Sequence, residues 1–206
     1  MPNNQRPRKK RDTSRKREAI LDGAVKVFIE KGYDVSSMDE IADTAGVSKR
    51  TVYNHFESKE ALFRSVVEDF VSQRDHMKPI KYTQDRPLDE QLKAFATAEL
   101  YLIDDPVRRG LSKVLTSFFL MDVTMAKEII GQKSPHKNFI QWLCAAQNDH
   151  TLDYPSPELA AQVFYGLVEG CLTYPALLSN GDSLKYAEPI LDEIVSVFLS
   201  RYRIHP

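Results

Sequence analysis

Arg50 and Asn54 stand four residues apart in the run KRTVYNHF, residues 49–56, and their side chains are the two types best suited to reading base edges. A guanidinium can fork onto guanine O6 and N7, and a carboxamide onto adenine N6 and N7. Thr51, Tyr53 and His55 add hydroxyl and imidazole groups that can reach phosphate oxygens. Lys59 follows Ser58, a helix-capping residue type, so its ammonium falls in a first helical turn beside free N–H groups, a combination that attracts an anion. A lysine at that position otherwise opposes the helix dipole. The chemistry on offer is recognition rather than turnover. The chain shows no nucleophile paired with a base, no metal-ligand cluster and no glycine-rich phosphate loop, and His76, His136, His150 and His205 lack metal-ligand spacing. Neither a metal nor a cofactor is expected, and an enzyme is not.

Side chains read DNA only if a helix presents them opposite a packed face. Ser37 and Glu40 have the spacing of a capping box, which starts a helix at Met38. Met38, Ile41, Ala42 and Ala45 then form one apolar stripe, and Gly46 supplies the permissive backbone for a sharp turn. Ser48 caps the next helix, in which Val52 and Phe56 face inward. The helical period places Arg50 and Asn54 nearly opposite that face, with Thr51 and His55 on one flank and Tyr53 on the other. The pattern is a helix-turn-helix with a donor-rich outer face.

The run from Arg17 to Phe70, REAILDGAVKVFIEKGYDVSSMDEIADTAGVSKRTVYNHFESKEALFRSVVEDF, resembles the N-terminal domain of the TetR family of transcriptional regulators. The resemblance is carried by Ile20, Leu21, Ala24, Val27, Phe28, Gly32 and Tyr33 of a first helix, and by the turn Ala45, Gly46, Val47, Ser48. Tyr53, His55 and Phe56 match its signature, as do Ser58, Lys59, Glu60, Ala61 and Leu62 at the start of a fourth helix. It implies a dimeric repressor of a double-stranded DNA operator, with an activator of the same family as an alternative. It also implies a C-terminal domain that takes a small-molecule effector. Carried over residue by residue, it implies phosphate contacts at Ser37, Thr51, His55 and Lys59, a mixed contact at Tyr53, and base reading by Ser48, Lys49, Arg50 and Asn54.

Composition fits this reading. The 206 residues leave room for one or two domains, and 42% hydrophobic residues with only 8 glycines suit a packed helical protein. The net charge of −1 conceals an asymmetry: residues 1–17 hold eight cations against Asp12, a net +7, which leaves −8 elsewhere. Residues 1–14 therefore read as a disordered basic arm that approaches phosphates or lies in a minor groove. A polybasic segment also serves an adaptor that binds a protein partner or an anionic membrane, but such an adaptor has no use for Arg50 and Asn54 on a presented face. No apolar run has the length of a spanning helix, and Asp22 and Lys26 interrupt the stretch behind the basic start, so no signal peptide is expected. Cys144 and Cys171 lie in apolar periodic segments and read as reduced packing residues of a cytoplasmic protein.

The fold expected is all-α, with a DNA-binding domain over 15–60 and a larger ligand-binding and dimerisation domain over 61–206. The fourth helix extends to about Arg74, and Met77 to Pro87 reads as a loop. A fifth helix carries Leu88, Leu92, Phe95 and Ala96, and Pro106 opens a sixth that runs through Phe119. Val123 to Gln147 forms a helical region with a break near Ser134 and Pro135. Pro157 opens a helix with a wide stripe from Leu159 to Cys171, and the last helix carries Ile190 to Tyr202. The resemblance implies that these two helices pair with their copies in a homodimer; plain core packing accounts for the same stripes. Aromatic residues are dense in this half. Phe95, Tyr101, Phe118, Met121, Phe139, Trp142, Phe164, Tyr165 and Tyr174 are candidates to line a pocket for an apolar or aromatic effector, as well as candidates for ordinary core.

Overall fold

The computed structural model describes residues 8–75, 79–130 and 136–204, and it is built of helices. Eleven α-helices are described: α1 Arg8–Lys31, α2 Met38–Thr44, α3 Lys49–His55, α4 Lys59–Asp75, α5 Leu88–Leu100, α6 Pro106–Met121, α7 Val123–Ile130, α8 Lys137–Asn148, α9 Pro157–Val168, α10 Tyr174–Leu178 and α11 Ala187–Tyr202. Residues 1–7 of the expected arm, His76, Met77, the expected break at Ser134 and Pro135, and His205 lie outside the described residues. Residues 8–14, read from the sequence as disordered arm, are instead the first two turns of α1. No helix among the described residues is long and apolar enough to cross a membrane.

The chain divides into two compact units, Met1–Gln73 with Lys113–Ile129 and Arg74–Ser112 with Ile130–Pro206. The division departs from the expected break at residue 60. Most of α4 belongs to the first unit because Phe63 is fully buried, edge-on to Phe28 at 5.4 Å and 4.6 Å from the ring of Tyr33. The end of α6 belongs there as well, since Phe118 meets Tyr33 at 4.7 Å and Phe63 at 4.6 Å. Aromatic pairs of this geometry add about 0.5–1.5 kcal/mol each beyond area burial. A tail of α6 thus completes the core of the helix-turn-helix unit.

The second unit packs α5, α8, α9 and α11 around Leu92, Phe95, Phe139, Trp142, Phe164 and Phe198. The fully buried amide of Gln91 is satisfied throughout: it accepts from Thr83 N at 3.1 Å and from Trp142 Nε1 at 3.1 Å, and donates to the carbonyls of Thr83 and Arg86, both at 2.8 Å. Pairing of this kind avoids the cost of burying an unmet donor or acceptor. Another unforeseen element follows α9, where Glu169–Thr173 widens into a π-helix and the Tyr174 N–H reaches Glu169 O. Pro175 has no N–H to donate and its ring crowds the carbonyl four residues back, which the wider turn relieves. Gly181, at φ +97°, then starts the 3-10 turn Asp182–Tyr186, and a Cβ there would lie 2.6 Å from the buried guanidinium of Arg109. The C-terminal strand-like residues close against the α8–α9 connection through an isolated bridge, Leu152 to Arg203.

Candidate nucleic-acid interface

The recognition surface rests on caps. Ser37 Oγ accepts from Glu40 N at 3.3 Å while Glu40 Oε2 accepts from Ser37 N at 3.1 Å, the reciprocal pair that starts α2. Glu40 is also bridged by Lys31 Nζ at 2.5 Å, which joins the end of α1 to the start of α2. The hydrogen bond from Lys31 holds the Glu40 carboxyl below the ordinary glutamate range, and the same bond raises the Lys31 ammonium. Gly46, at φ +65°, makes the turn, and Ser48 Oγ accepts from Thr51 N at 3.2 Å to start α3. A non-glycine residue at that φ is disfavoured by about 1–2 kcal/mol.

With Val52 and Phe56 buried, α3 turns Arg50, Tyr53 and Asn54 outward, and Tyr53 is 54% exposed. Thr51 and His55 are half-buried on its flanks. Ser48 is occupied as a cap and lies 2.8 Å from the Thr51 hydroxyl, so its own O–H is free for a base only where Thr51 is the donor between them. Lys49 is bridged to Asp39 at 2.5 Å, an exposed contact that also raises its ammonium, and it must leave Asp39 to reach DNA. Among the described residues Arg50 and Asn54 have no side-chain partner, and both face solvent.

Lys59 departs from the expectation of a phosphate contact. Its Nζ donates to three backbone carbonyls, Tyr33 at 2.7 Å, Asp34 at 3.0 Å and Ser36 at 3.0 Å, and sits 4.5 Å above the Tyr33 ring. All three ammonium protons are committed here, so the residue tethers the α1–α2 connection. The signal was in the sequence: a lysine opposing the dipole of α4 has to be held by something else, and unsatisfied carbonyls are what a tight connection offers. Gly23 was also missed. A Cβ there would lie 2.9 Å from the Ala45 Cβ and 3.1 Å from its backbone nitrogen, so the glycine permits α1 and α2 to touch. Its unfavourable place inside a helix was the readable sign.

The nine aromatic and methionine candidates for a pocket are not brought together. Phe95, Phe139, Trp142 and Phe164 are at most 4% exposed and fill the core of the second unit. Tyr101 lies under the guanidinium of Arg108, and Tyr174 is 49% exposed. Tyr165 lines a groove of about 470 Å³ between α8 and α9 with Ile140, Ala161 and Gln162, and its ring stacks on His136 at 3.7 Å. Phe118 and Met121 belong to the first unit, in a separate cavity of about 400 Å³.

A capped α2, a glycine turn and a short helix that exposes Arg50, Tyr53 and Asn54 opposite its packed face define a helix-turn-helix DNA-binding protein. Residues 20–66 match the family described as bacterial regulatory proteins, tetR family, and residues 90–204 match the AefR-like transcriptional repressor C-terminal domain. The chain is 28% identical over 169 residues to the HTH-type transcriptional regulator SrpR of Pseudomonas putida, covering 80% of this chain and 76% of that protein. A TetR family transcriptional regulator from Pseudomonas syringae pv. tomato superposes with a TM-score of 0.77 at 28% identity, over 92% of this chain and 97% of that one. The flavonoid-responsive regulator FrrA superposes with a TM-score of 0.70 at 26% identity, over 94% of this chain and 100% of that one. The chain belongs to the TetR family of transcriptional regulators.

Proposed function

We propose that this regulator represses transcription by binding a two-fold symmetric operator as a homodimer, and that a small, largely apolar or aromatic effector releases it. The observation that carries the DNA half is the outer face of α3, where Arg50 and Asn54 are exposed with no competing partner among the described residues and Tyr53 stands beside them. In this reading Arg50 and Asn54 read bases, Tyr53 makes a mixed contact, and Ser37, Thr51 and His55 hold phosphates. Lys49 joins the base readers once it exchanges Asp39 for DNA.

The dimer is supported by a stripe on α9 and the π-helix. Leu159 and Val163 are 48% and 39% exposed, Gly166 and Gly170 have open space where a Cβ would be, and Tyr174 is exposed at the far end. These positions recur at helical spacing on one face, apolar or small, with no covering element among the described residues of the single chain. The match to a repressor C-terminal domain supports the sign of regulation, and the likeness to a flavonoid-responsive regulator supports an aromatic effector. The α8–α9 groove, with Tyr165 and Ile140 in its walls, is of drug-binding size.

Selection of bound fragments from random or genomic DNA by the purified protein tests the reading. A palindromic site is expected, with half-sites about 34–36 Å apart or a multiple of that. Recovery of no common sequence, or of an asymmetric one, would overturn it.

A further inference from the structure

We propose, on the reading of α3 as the DNA-contacting face, that Asp39 is a brake on DNA binding: its carboxylate competes with DNA for the Lys49 ammonium and lowers affinity for duplex of any sequence. The contact is one hydrogen bond, Lys49 Nζ to Asp39 Oδ2 at 2.5 Å, between side chains 61% and 52% exposed. That bond raises the Lys49 ammonium above its ordinary value, and interactions with Asp43 and Tyr53 add smaller increments. Lys49 is the first residue of α3, where an ammonium opposes the helix dipole, so Asp39 also gives it a resting place away from DNA. An ion pair this open to water is worth about two- to fivefold in an equilibrium, little enough for a phosphate or a base edge to displace.

The carboxylate cannot follow Lys49 onto DNA. Asp39 sits in the first turn of α2, two residues past Ser37, and the reciprocal Ser37–Glu40 cap fixes that turn. With Ser37 on a phosphate, Asp39 stays beside the DNA backbone when Lys49 leaves it. Exchanging one carboxylate for one phosphate frees a cation from the DNA and recruits one to the vacated carboxylate, so no counterion is released on balance. The charges around the pair do not repeat this arrangement. Glu40 is bridged by Lys31 at 2.5 Å; Asp43, one turn along α2, makes no hydrogen bond to Lys49; Arg50 has no carboxylate partner among the described residues. Lys49 thus reaches DNA only by exchange, whereas Arg50 does so freely.

Titration of the full chain with a random-sequence duplex over a range of salt reads the brake without an operator. Asp39→Asn should tighten binding about two- to fivefold per chain and steepen the slope of log affinity against log salt by about 0.9 per chain. Asp39→Ser, which puts a second neutral residue in that first turn, should do the same and keeps the test open if the first variant folds poorly. Asp43→Asn removes the same charge from the same face of α2 without freeing Lys49, and should leave the slope near that of the parent chain. In a Lys49→Ala background, Asp39→Asn should no longer steepen the slope. A parent chain that binds no duplex would remove the DNA reading and the brake together. A parent that binds DNA, with a slope unmoved by Asp39→Asn, or moved equally through Asp43→Asn or without Lys49, would overturn the brake alone.

Discussion

Arg50 and Lys59 are both basic residues of the helix-turn-helix, yet they should fail in different ways when truncated. Arg50→Ala leaves the fold alone, because the side chain is exposed, and removes a forked base contact. Binding-site selection should show relaxed preference at one position per half-site, with a loss of about 1–3 kcal/mol in operator affinity. Lys59→Ala should lower thermal stability instead, by roughly 1–3 kcal/mol, because three carbonyls of the α1–α2 connection lose their shared donor. Should Lys59→Ala melt like the parent and lose only salt-dependent DNA affinity, the tether would be wrong and a phosphate contact right. The outward face of α3 was legible in the sequence because a capped helix with Val52 and Phe56 inside can present only one set of residues. The conflict of Lys59 with the dipole was legible too, but its partners were not, since they depend on where the chain twenty-odd residues upstream leaves its carbonyls.

At the scale of elements, the joint between α1 and α2 depends on contact and on charge. Contact comes from Gly23 against Ala45, and charge from Lys31 with Glu40. Glu40 is held below its ordinary value in the fold, so its contribution is complete above the usual glutamate pKa of about 4.3 and is lost as pH falls through the lowered value. Lys31, raised in the fold, loses its contribution only as pH climbs past the usual lysine pKa of about 10.4. Melting temperatures measured from neutral pH down to about 3 should therefore fall less steeply for Glu40→Gln than for the parent chain; parallel curves would remove Glu40 from the acid response. The starts of α2, α3, α4 and α9 were readable because caps and Pro157 are local signals. The π-helix, α10 and the 3-10 turn were not: their cause is Pro175 and Gly181 acting on a helix that both stripe and period would have continued.

For the whole molecule, the open face on α9 makes the clearest demand. Leu159→Glu with Val163→Glu should convert a dimer to a monomer in sedimentation without loss of helicity, because both side chains are already partly exposed in the single chain. An unchanged dimer would move the interface elsewhere. The stripe was visible in the sequence, but the aromatic inventory behind it was not separable into core and cavity. Phe139 and Phe164 are sealed while Tyr165, one residue on, reaches a groove, and only three-dimensional packing sorts neighbours that way. Phe118 shows the same limit at longer range, since nothing in its local sequence says that it completes a core begun by Phe28.

The committed ammonium of Lys59 has an analytical consequence. An amine held by three carbonyls and covered by a ring is shielded from an acylating reagent until the connection opens. Lys49, exposed and held by a single carboxylate, has no such protection. Under brief treatment with an N-hydroxysuccinimide ester, Lys49 should label at once and Lys59 at the rate of local opening. The ratio of the two, read by mass spectrometry, makes Lys59 a clock for breathing of the DNA-binding unit, with no substitution in the chain.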